Sequence, residues 1–89
     1  MPATTLTICN KLGLHARAAA RLSKLAEQFS ADIRIEKDGH SINAKSIMQV
    51  MMLAAGKGSD ITIHADGSDA EDALAALANL VNNRFDETE

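Results

Sequence analysis

The sequence contains no tryptophan and no tyrosine, and its two aromatic residues are Phe29 and Phe85. Sheets that bind single-stranded nucleic acid stack several bases on several rings, so that class of partner is excluded by supply alone. Basic excess is missing as well. Nine Lys+Arg against twelve Asp+Glu leave a formal charge of −3, a field that repels nucleic acid and anionic membrane. With one cysteine, Cys9, no intrachain disulfide can form. No CxxC or Cys/His cluster at metal-ligand spacing occurs, so neither a metal nor another cofactor is expected. No apolar run approaches the roughly 18 to 20 residues that span a bilayer. The start MPATTLTICN lacks the charged head and apolar stretch of a secretory signal, and the expected location is the reducing cytoplasm.

What is present suits a small globular protein. Eighty-nine residues that are 46% hydrophobic and 24% charged, with a single proline, are enough for one core burying roughly 60% of the unfolded surface. One domain over 1–89 is expected, acting as a monomer. Residues 5–9 alternate as a strand, with Leu6 and Ile8 on one face and Thr5, Thr7 and Cys9 on the other. From Ala16 to Phe29 the period becomes helical, with Ala18, Leu22, Leu25, Ala26 and Phe29 as the core stripe and Arg17, Arg21 and Lys24 on another face. DIRIEKDGHSINA has the pattern of a hairpin turning at Asp38-Gly39. A short helix follows Ser46, which has capping-box spacing to Gln49. DITIHA is a strand. A last helix is expected to open with a second box, Ser68 and Glu71, and to bury Ala70, Ala73, Leu74, Leu77, Leu80 and Val81. The order β-α-β-β-α-β-α predicts an α+β, open-faced β-sandwich: a four-stranded antiparallel sheet with three helices on one face. Ferredoxin-like folds share this order, so architecture alone names no function.

The residues at the start of the first helix narrow the choice. No Ser, Thr, Asp or Asn stands immediately before it, and His15 does. The first N–H groups of a helix need acceptors and favour negative charge, so this end could take an anion such as a phosphoryl group, with Arg17 as a bidentate cation. The positive end would leave a ring nitrogen of His15 able to attack. The alternative is that His15 caps the helix through a ring nitrogen, and position and charge do not separate the two.

The segment NKLGLHARAAARL resembles the active-site segment of the histidine-containing phosphocarrier proteins of the bacterial phosphoenolpyruvate-dependent sugar phosphotransferase system. KSIMQVMMLAAGKGSDITIHADG is similar to that family's regulatory serine and the glycine-containing turn before its last strand. The resemblance implies that His15 receives a phosphoryl group on Nδ1 from phosphorylated enzyme I and passes it to an enzyme IIA domain, with Arg17 as charge partner. It implies a carrier that is itself modified, not an enzyme. Ser46 matches the serine modified by HPr kinase/phosphorylase. Ala18 departs from the proline usual there, and Gln49 and Met52 depart from the small residues of the serine-regulated forms.

The basic stripe gains a use on this reading: Arg21 and Lys24 would steer acidic partners. The helix after Ser46 is too apolar all round to be wholly buried. Val50 and Leu53 suit the core, which leaves Ile47, Met48 and Met51 as an adaptable docking patch; the rival reading, that the methionines are plain core, applies best to Met52. His40 and His64 are expected at the surface. Alternatives are a nitrogen-branch paralogue, or a regulatory form in a cell without sugar permeases. From another class, an acylphosphatase-type enzyme would turn over acyl phosphate without a phosphohistidine.

Overall fold

The computed structural model describes residues 2–53 and 55–86. The chain runs β1 (Ala3–Thr7), α1 (Ala16–Glu27), β2 (Asp32–Lys37), β3 (His40–Asn43), α2 (Ile47–Met52), β4 (Asp60–Asp66) and α3 (Ala70–Asn82), then a turn at Arg84–Asp86. The strands form one sheet in the order β1-β4-β2-β3, every neighbouring pair antiparallel. This is the predicted α+β sandwich, with three helices covering one face of the sheet.

Alternation sorts the sheet into a dry and a wet face. On the dry face, register places Thr4, Ile63, Ile35 and Ile42 in one row across all four strands. Ile33, Ile61, Ile63 and Ala65 meet Ala18, Ala19, Leu22 and Ala26 of α1 and Ala73, Leu77 and Val81 of α3 in a single buried cluster. On the open face, Thr5 and Thr62 hydroxyls lie 3.1 Å apart and His64 Nε2 stands 3.0 Å from Glu36 Oε1. His40 is exposed and His64 half-buried. The β2–β3 hairpin turns through Asp38 and Gly39, both in the left-handed region at φ 51° and 84°. That pair of angles matches the right-handed twist of the flanking strands.

Several expected boundaries shift, each for an identifiable reason. Strand β1 spans Ala3–Thr7, so Ile8 and Cys9 lie beyond it. The Cys9 sulfur points at the Val81 carbonyl, 3.4 Å away, and does not join Thr5 and Thr7 on the open face. Helix α1 stops at Glu27, and Lys45 Nζ donates to the Phe29 carbonyl at 2.8 Å, a cation where the helix dipole is negative. The Ser68–Glu71 capping box is not formed. The N-cap of α3 is Asp69, which makes no side-chain capping bond, because its carboxylate is engaged elsewhere: the Ser30 and Ala31 amides donate to its two oxygens at 2.8 Å each. Gly67, at φ 149°, lets the chain approach Ala31 so closely that a Cβ there would lie 2.8 Å from Ala31 Cα.

The clamp has a pH signature. The Ser30 amide, helped by the Ala31 amide and Lys45 against partial burial, holds Asp69 below its ordinary value of 3.8. A depressed carboxylate stabilises the fold above its unfolded pKa and loses that contribution as pH falls through the lower, folded value. Asp69→Ala should therefore lower the Tm at pH 7, with the gap to the unmodified protein closing below about pH 4. Thermal melts from pH 7 to pH 2 provide the check, and a gap that stays constant across that range contradicts the clamp.

Candidate functional site

His15 sits where a left-handed turn delivers the chain into α1. Gly13 has φ 67°, and the turn is closed by the Gly13 amide donating to the Asn10 carbonyl at 3.2 Å. The next residue docks across the molecule: the Leu14 amide donates to the Ala55 carbonyl at 2.8 Å, and the Leu14 side chain is buried. His15 follows in extended backbone (φ −75°, ψ 178°) as the N-cap of α1. Its carbonyl accepts from the Ala19 amide at 2.8 Å.

The imidazole is half-buried, and Nδ1 accepts from the Arg17 amide at 3.3 Å. Of the two alternatives left by the sequence, the capping one is thus realised, through a long bond. An Nδ1 that accepts places the ring proton on Nε2 and turns the Nδ1 lone pair toward the positive end of the helix. Because the first turn of α1 carries no acidic residue, no carboxylate of that turn competes for its N–H groups. Capping and anion acceptance therefore use the same direction in space.

The three helical cations differ in status. Arg17 and Lys24 are exposed. Arg21 is not the free steering charge its spacing suggests: it is half-buried, and its guanidinium donates to the Phe85 carbonyl. Phe85 is fully buried and holds φ 55° beside Arg84 at φ 57°. Arg21 thus ties down a strained chain end that periodicity did not identify as core. Its signal in sequence was only that a second aromatic residue stood beyond the last helix.

Ser46 caps α2, its Oγ accepting from the Gln49 amide at 3.3 Å. The reciprocal half of the box is diverted. Ser46 N–H already donates to the Asn43 carbonyl, and Gln49 Oε1 accepts from the Asn43 amide at 2.9 Å. Val50 and Leu53 are buried, whereas Ile47, Met48 and Met51 are exposed. Met52, to which the rival core reading applies best, is 77% exposed, more than Met48 at 72%. It stands two residues from Val50, about 200° around the helix, and therefore faces away from the core. Leu12, in the turn before His15, is also exposed, at 67%, and was not anticipated.

No helix among the described residues is long and apolar enough to cross a membrane. Among the same residues no cluster of His, Cys, Asp or Glu could hold a metal ion.

A half-buried histidine with its Nδ1 lone pair at a helix N-terminus, two residues from an exposed arginine, has the features of a covalent phosphoryl carrier. The family model described as "PTS HPr component phosphorylation site" matches residues 3–83. The chain is 51% identical to the phosphocarrier protein HPr of Pseudomonas aeruginosa over 90 residues, covering 100% of both chains. To that of Cupriavidus necator it is 53% identical over 83 residues, 93% of each. The crystal structure of HPr-C-His from Thermoanaerobacter tengcongensis superposes with a TM-score of 0.96 at 43% identity, covering 100% of both chains. The chain belongs to the HPr family, the phosphocarrier proteins of the phosphotransferase system.

Proposed function

We propose that this phosphocarrier takes its phosphoryl group on Nδ1 of His15 from phosphorylated enzyme I and hands it to an enzyme IIA domain. The observation that carries the reading is the Nδ1 lone pair facing the Arg17 amide at 3.3 Å. As Nδ1 attacks phosphorus, the bond from phosphorus to the donor breaks and the Arg17 N–H passes from nitrogen to an arriving phosphoryl oxygen. The ring keeps its Nε2 proton, so no separate base is needed. The exposed Arg17 guanidinium stabilises the charge developing on the phosphoryl oxygens. Transfer onward reverses these steps on the acceptor.

Lys24, with Arg21 in part, faces acidic partners, while Ile47, Met48 and Met51, joined by Leu12 and Met52, form the docking surface. Ser46 is the regulatory position for an HPr kinase/phosphorylase: a phosphoryl group on this N-cap would meet the N-terminus of α2 favourably, leaving the fold intact. The protein works as a cytoplasmic, monomeric carrier domain spanning 1–89. The direct test is incubation with phosphoenolpyruvate and catalytic enzyme I, followed by intact-mass measurement; addition of one phosphoryl group supports the reading, and an unmodified mass rejects it.

Charge and apolar contact should separate kinetically. Lys24→Glu is expected to slow association with enzyme I about threefold at low salt, the effect shrinking near physiological ionic strength, where the Debye length is about 8 Å. Met48→Asp should leave the fold intact and accelerate dissociation at least about tenfold at every salt concentration, since the contact would have to desolvate a carboxylate. Stopped-flow binding across a salt series measures both. A folded Met48→Asp protein that dissociates normally moves the docking surface elsewhere.

A further inference from the structure

We infer that Asn10 is a positioning residue for phosphoryl transfer, an inference that rests on the His15 reading above. Asn10 and Ser23 are the two buried polar residues among the described residues, and Asn10 is fully enclosed. The Ser23 hydroxyl bridges α1 to the Ala44 carbonyl at 2.9 Å, a purely architectural link. Asn10 does something different: its Nδ2 donates to the carbonyl of Gly13 at 2.8 Å, while its own carbonyl accepts from the Gly13 amide at 3.2 Å. The same two residues are therefore tied twice, side chain to backbone and backbone to backbone.

The location gives the double tie its consequence. Gly13 stands two residues before His15, in a left-handed conformation that polypeptide turns leave easily unless held. On its other side Gly13 presses against Ala55 and Gly56, and the Leu14 amide reaches the Ala55 carbonyl. The turn is thus held both by Asn10 and by the 55–56 segment. His15 leaves this turn directly into α1, so the position of Gly13 sets where the imidazole stands relative to the helix amides. A nucleophile of this kind depends on sub-ångström placement, because a displacement of about 1 Å can cost about a hundredfold in rate. A buried amide is costly to keep in so small a core, and here the bond from its Nδ2 supplies rigidity next to the reacting atom.

Asn10→Ala and Asn10→Ser test the assignment, with phosphorylated enzyme I as donor in rapid-quench single turnovers. For Asn10→Ala the maximum transfer rate should fall about tenfold with the half-saturating donor concentration changed less than about twofold, because most of the docking side chains stand on α2, outside the Asn10–Gly13 turn, while the nucleophile is misplaced. The His15 ring nitrogen resonances and the Arg17 amide resonance should shift together. Asn10→Ser, which keeps a smaller donor in the same cavity, should recover part of the rate, to about threefold below the unmodified protein. Either folded variant transferring at the unmodified rate, or Asn10→Ala lowering only the Tm with His15 signals unmoved, makes the role architectural and overturns the inference. If the alanine variant does not fold, the serine variant decides by the same criterion. Absence of transfer in the unmodified protein itself rejects the His15 reading, and this inference with it, whereas transfer in the unmodified protein with normal transfer in the variants rejects this inference alone.

Discussion

His15→Ala should abolish phosphoryl uptake from phosphorylated enzyme I, with no adduct by intact mass, whereas His40→Ala and His64→Ala should be labelled as fully as the unmodified protein. The contrast follows from surroundings, since all three share one chemistry. His15 alone caps a helix with Nδ1 toward its amides. His64 lies on the open sheet face against Glu36, and His40 closes the exposed hairpin. Neither is placed where a helix N-terminus could receive phosphoryl oxygens. The adduct should be acid-labile, as a phosphoramidate is, and a label that survives acid would point to a hydroxyl acceptor. Loss of labelling only in His64→Ala would move the site to the sheet. The His15→Ala protein should remain folded, since loss of one long capping bond costs about 1 kcal/mol or less.

Gly13→Ala should damage both the fold and transfer, and more than any other glycine substitution with only its left-handed angle to resist it. A Cβ on Gly13 would lie 2.5 Å from the Ala55 carbonyl oxygen and 2.7 Å from Gly56 Cα. Both are backbone atoms, so relief requires moving the segment after α2 or the turn that carries His15. The left-handed angle adds about 1–2 kcal/mol for a side-chain-bearing residue, and the overlap adds roughly 1–3 kcal/mol. A loss on the order of 3 kcal/mol corresponds to a Tm lower by about 12–24 °C in a protein of this size. Gly39→Ala is the control. Its φ is 84°, yet nothing lies within 4 Å of the added Cβ, so it should lose only the angular part and transfer at the normal rate. Equal Tm losses in the two variants would show that the approach to Ala55 is loose.

These two glycines also mark where sequence reading succeeds and where it stops. Asp38-Gly39 was legible because a two-residue hairpin is a local object: its turn angles and flanking alternation lie within a dozen residues. Gly13 belonged to a loop in the same reading, but its partner lies more than forty residues away. The Ser68–Glu71 box failed for the same reason. Local spacing favoured it, and a contact of Asp69 with residues 30 and 31 outweighed it. Arg21 shares a stripe with Arg17 and Lys24 by helical geometry, yet the carbonyl of Phe85 takes its guanidinium.

By itself the sequence determined the element order, the inward sets of β2, β4 and α3, the hairpin turn and the histidine at the head of the first helix. Each of these depends on backbone sterics or on a period of two or 3.6 residues, forces that act within one element. Only the tertiary structure decided the strand order β1-β4-β2-β3, the direction in which His15 Nδ1 points, the exposure of Met52 and Leu12, and the burial of Asn10 and Phe85. Those depend on which distant backbone groups arrive beside a side chain, and long-range pairing selects them after the local preferences have been met.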